Sequence, residues 1–161
     1  MAIPVAAVIS HWSHYFQSFT YSAHDFYAAL GKICGEHHMP NTEIEPVTHK
    51  EGGLLSANRE YLRIKYHKLV FDICAAPFGK DFFISWWFYE TEGSVTNLLK
   101  GTKVGSFLKA SESAKTFFQI DAEEMFRSCV HECILEAIAQ VTEGKTQWQL
   151  SNEQKAYKMG A

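Results

Sequence analysis

The chain has no lysine or arginine before Lys32, so its apolar start, MAIPVAAVIS, lacks both the charged n-region of a secretory signal and the arginines of a transit peptide. The expected location is the cytoplasm. No apolar run reaches the roughly 18 residues that a membrane span requires, which sets aside a spanning helix. A formal net charge of -3 leaves no overall positive field to gather phosphates, and a nucleic-acid partner is set aside on that ground. There is no G-x-S-x-G elbow, Walker loop, G-x-G-x-x-G or H-E-x-x-H. No catalytic residue is assigned, and the reading leans away from an enzyme. The four cysteines, without an export signal, read as free thiols, buried or metal-ligating, rather than as disulfides.

The 161 residues present are 47% hydrophobic, enough to fill one core but not two, so residues 1–161 are expected to form a single α+β domain. Its expected architecture is a mainly antiparallel sheet of about four strands, packed with N-terminal helices and a long C-terminal helix. Pro4 suits a first helical position, and Val5, Val8, Ile9, Trp12, Tyr15, Phe16 and Phe19 recur at helical spacing, which predicts a first helix over 4–19. Ser22 as a cap with Asp25 three residues later opens a second helix, striped by Phe26, Leu30, Ile33 and Cys34 and ending before Pro40. Pro46 makes TEIEPVT an edge strand.

In REYLRIKY the apolar Leu62, Ile64 and Tyr66 alternate with Tyr61, Arg63 and Lys65. A tight turn at His67-Lys68 would pair Ile64 with Phe71, Leu62 with Ile73 and Arg63 with Asp72, although His-Lys is a poor turn sequence. DFFISWWFYE, after a turn at Gly79-Lys80, is apolar on both faces and so belongs inside the sheet with cover on each side. Residues 91–116 read as a long loop. Asp121 with Glu124 predicts the last helix start, with Ile120 and Met125 as a staple and Gly144 as its C-cap. Its buried stripe is Phe126, Val130, Cys133, Ile134, Ala137 and Val141.

The most metal-like set joins CGEHH, with Cys34 and His37, to CVHEC, with Cys129 and Cys133. Thiol and imidazole are the donors zinc prefers. On a helix Cys129 and Cys133 lie about 40° apart, whereas His131 lies about 160° from either and cannot share their ion. A site would complete itself with His37 or Cys34 from the end of the second helix. The competing reading is that the cysteines are small core residues, since neither half has a finger spacing, so no cofactor is expected beyond zinc at these four positions. His11 and His14 fall on the polar side of the predicted first helix. Arg63, Asp72 and Cys74, with Trp87, are candidate binding residues, set against the plainer reading of a cross-strand ion pair. Trp86 and Trp87 are candidates for a groove or subunit interface, with at least one of them core because strand neighbours face opposite ways. NLLKGTKVGSFLK, residues 97–109, mixes lysines with apolar residues as membrane-surface segments do.

The blocks EGGLLSANREYLRIKY, FDICAAPFG, FFISWW and FFQIDAEEMFRSCVHECILEAI, in this order, resemble an uncharacterised family of bacterial proteins, over roughly residues 25–90 and 117–155. Some members of that family carry apolar, membrane-spanning residues where this chain has its lysine-bearing loop. The resemblance implies bacterial origin and a continuous domain, and carries no activity. The function expected is a non-enzymatic binding or assembly module with a protein partner or a second copy of itself. The alternative is a small-molecule-binding protein or enzyme with a pocket near Arg63, Asp72, Cys74 and Trp87.

Overall fold

A computed structural model describes residues 8–50, 58–91 and 115–142. The order is β1 (Val8–Phe16), α1 (Ala23–Glu36), β2 (Thr42–Lys50), β3 (Asn58–Tyr66), β4 (Leu69–Phe78), β5 (Asp81–Glu90) and α2 (Phe117–Thr142). The five strands form one sheet in the order β1-β5-β4-β3-β2, antiparallel at every pairing. This is the expected α+β class with one strand more.

The extra strand is the predicted first helix. Residues 8–16 run extended along β5, pairing Trp12 with Trp86 and Phe16 with Phe82, after a bulge between Val8 and Ser10. SHWSHYF comes entirely from the lower part of the helix scale, at a cost of about 3 kcal/mol against alanine summed over seven residues. Aromatic residues with alternating polar neighbours suit a pleated strand instead. The apolar residues at helical spacing also alternate in part, and docking on β5 buries Phe16 fully, so the period of two prevails.

α1 begins as predicted, with the Asp25 amide donating to the Ser22 hydroxyl at 3.3 Å. α2 begins four residues before the expected cap: the Gln119 amide donates to Thr116 Oγ1 at 3.2 Å, and Gln119 Oε1 accepts from the Thr116 amide at 3.0 Å. Thr116 and Gln119 are thus a capping box that precedes Asp121, and Ile120 and Met125 are exposed instead of stapled. The expected loop over 91–116 lies almost wholly outside the described residues, as do its lysine-bearing segment 97–109 and the expected C-cap Gly144. Among the described residues no helix is long and apolar enough to cross a membrane.

Both helices pack on one face of the sheet. Phe26, Leu30, Ile33 and Cys34 of α1 and Phe126, Val130, Cys133, Ile134 and Ala137 of α2 share a core with Ile64, Phe71, Ile73, Phe82, Ile84, Trp86 and Phe88. Neither helix is left to cover the opposite face. There Tyr89 and Ser85 are buried while Phe83 and Trp87 are half-buried, with His11 of β1 stacked on Trp87 at 3.6 Å between ring centroids.

The β3–β4 hairpin takes the predicted register through a two-residue loop, with Ile64 opposite Phe71, Leu62 opposite Ile73 and Arg63 opposite Asp72. His67 adopts φ 52 to make the turn, a position that Gly79, at φ 61, fills in the next hairpin. Pairing between β3 and β4 stops at Leu62 and Ile73. Beyond it the Tyr27 hydroxyl of α1 sits between the strands, accepting from the Ala75 amide and donating to the Glu60 carbonyl, each at 2.9 Å. One side chain thereby satisfies two strand groups and ties α1 to the sheet. Burial pushes the Tyr27 hydroxyl pKa well above its usual range.

Candidate metal centre

The end of α1 and the middle of α2 meet on the helix side of the sheet. α1 stops at His37, whose amide donates to the Ile33 carbonyl at 3.1 Å, and His38 turns the chain away at φ 48. This anchors the His37 backbone over α2. Cys129 and Cys133, one turn apart on α2, present their thiols to the same point. One donor atom from each of His37, Cys129 and Cys133 lies within 4.8 Å of the other two.

Cys34, one turn before His37, lies outside that triangle but acts on the Cys133 thiol, as Cys129 also does. Cys34 and then burial push the Cys133 pKa strongly up, and burial raises that of Cys129. As free thiols these groups stay protonated; a cation among them would reverse that preference. His37 is exposed, Cys129 half-buried and Cys133 buried, so the cluster runs from the surface into the core.

The donors fit a soft cation. With Zn–S about 2.3 Å and Zn–N about 2.0 Å, tetrahedral ligands sit about 3.5–3.8 Å apart, a modest contraction of the observed triangle. Of the four residues named as candidates, His37, Cys129 and Cys133 converge on one point, and Cys34 stands beside Cys133 outside their triangle. His131 is not: it faces the core, where its Nδ1 accepts from the Trp86 indole at 3.0 Å. Glu136, unsuspected from the sequence, lies 2.9 Å from His37 Nε2 through Oε2. Its signal was spacing, since 129, 133 and 136 form one i, i+4, i+7 stripe.

A second polar cluster occupies the opposite face. Arg63 grips Asp72 with two hydrogen bonds, Nε to Oδ1 at 2.7 Å and Nη2 to Oδ2 at 2.8 Å. His49 Nε2 at 2.8 Å and the Tyr89 hydroxyl at 2.9 Å also reach Oδ2. Burial alone would raise the Asp72 pKa, but the hydrogen bonds and charge of Arg63, with the hydrogen bonds from His49 and Tyr89, hold it below the usual carboxylate range. The carboxylate is saturated from within the protein, as a structural ion pair is. Cys74 is buried on the same face and its thiol pKa is raised by that burial.

Trp87 faces the same side as Asp72, its cross-strand neighbour, whereas Trp86 is core on the helix side. Tyr89 was legible only as a member of a strand apolar on both faces, and His49 lay just past the predicted edge strand; long-range pairing puts both on Asp72. His11 and His14, read as neighbours on a helix, lie on opposite faces of β1, and His11 Nδ1 is 2.8 Å from the Trp86 carbonyl. No family model, curated protein or solved structure matches the chain.

Proposed function

We propose that this chain is a non-enzymatic metal-binding module that holds one zinc ion between α1 and α2. The convergence of His37, Cys129 and Cys133 donors within 4.8 Å, with Cys34 against Cys133, carries the reading. Two converging thiols and an imidazole, with the Cys34 thiol beside them, favour zinc over magnesium or calcium, which take oxygen donors. The ion's task is structural. It would cross-link two helices that otherwise meet through apolar side chains and the His37–Glu136 contact, leaving no ligand position for a substrate if all four residues bind. Zinc would also lower the thiol pKa values that burial now raises, so that binding releases protons.

Native mass spectrometry of the untagged chain, supplied with zinc, tests this. One zinc per chain is expected, lost in the double substitution Cys129→Ser and Cys133→Ser. A wild-type chain that remains metal-free under these conditions would sink the proposal.

A further inference from the structure

If zinc sits between α1 and α2 as proposed, Glu136 stands behind one of its ligands. A carboxylate can only accept, so at 2.9 Å the His37 Nε2 must carry the proton and donate it to Glu136 Oε2. In the neutral imidazole the remaining lone pair is then on Nδ1. The contact itself is shallow, with about a third of the His37 side chain and half of the Glu136 side chain exposed, and such contacts contribute little to stability. Its consequence is orientation. Glu136 stands on the same stripe of α2 as the two cysteines, so one helix carries two thiols toward the ion and a carboxylate toward the back of the histidine. The histidine backbone is held separately by the end of α1.

We infer that Glu136 is a positioning residue of the metal centre: it fixes His37 in the Nε2–H tautomer and turns Nδ1 toward the ion. Partners of this kind raise the basicity of the ligand nitrogen and fix its ring. Glu136 makes no bond to the metal. Its removal frees the ring to rotate and to protonate either nitrogen, which weakens retention without deleting a ligand.

The test uses the full chain labelled with ¹⁵N-histidine and loaded with ¹¹³Cd²⁺, beside zinc competition against a chromophoric chelator. Cadmium coupling is expected on Nδ1 of His37, with Nε2 still protonated. Glu136→Ala should lower zinc affinity about 10- to 100-fold, and Glu136→Gln, whose amide oxygen still accepts from Nε2–H, should restore most of it. Because Glu136 is on the surface, both variants are expected to fold, and circular dichroism checks that they do. Coupling on Nε2, or an unchanged affinity in Glu136→Ala, overturns the positioning role while leaving the zinc site standing. Failure of wild-type protein to take up either ion overturns both.

Discussion

At the scale of single residues, Asp72 is the side chain on which most depends. It is 3% exposed and ionised, held by Arg63, His49 and Tyr89. Asp72→Ala leaves Arg63 facing a buried gap, and about 3 kcal/mol of stability should be lost, at the low end for a buried pair because Arg63 retains some solvent. Urea unfolding would read it. The sign of the pH effect follows from the depressed carboxyl pKa. The folded value lies below the unfolded one, so the Asp72 contribution is complete above about pH 4 and is lost as pH falls through the folded value. The acid limb of the stability curve should therefore flatten in the variant; an unchanged limb would place acid sensitivity elsewhere.

At the scale of elements, the His67-Lys68 hairpin adopts its register in spite of its turn. His67 pays for a left-handed backbone that glycine would adopt freely, a cost of about 1 kcal/mol. His67→Gly should raise stability by up to that amount, less what the Tyr66–His67 ring contact contributes, and a higher thermal midpoint with unchanged circular dichroism would show it. Given a tight turn at His67-Lys68, period-two alternation and the opposite charges of Arg63 and Asp72 were enough for the pairing to be read from sequence. β1 was not legible in the same way. Its residues satisfy part of a helical stripe and part of a strand alternation, and only the open edge of β5 decides between them. The start of α2 was misplaced because two capping patterns, Thr116 with Gln119 and Asp121 with Glu124, stand five residues apart; the earlier one makes the bonds.

At the scale of the whole molecule, the helices lie side by side on one sheet face, and the proposed ion would act as a clasp between them. A ligand that binds only the folded state adds about 4 kcal/mol at a thousandfold excess over its dissociation constant. For a chain of this size that is on the order of 10 °C in thermal midpoint. Scanning calorimetry with zinc and then with chelator should show that gap, and it should close in the Cys129→Ser, Cys133→Ser variant. Equal midpoints with zinc and chelator in the wild type would mean that the ion supports nothing.

The local physics of the sequence was enough for the α+β class, the Ser22 start of α1, the edge position of the Pro46 strand, the β3–β4 register and the buried stripe of α2 apart from the half-buried Val141. Each rests on contacts within an element or across one short turn, where periodicity, capping and the missing proline N–H act directly. The sequence also named Cys34, His37, Cys129 and Cys133, because helical angles alone separate the two α2 cysteines from His131. What only the tertiary structure decided was whether those two halves, nearly a hundred residues apart, would meet, which face the helices would choose, and that Glu136 and His49 would complete the polar clusters. Those depend on where a packed sheet leaves room for a helix, and no spacing along the chain encodes the distance between residues that only packing brings together.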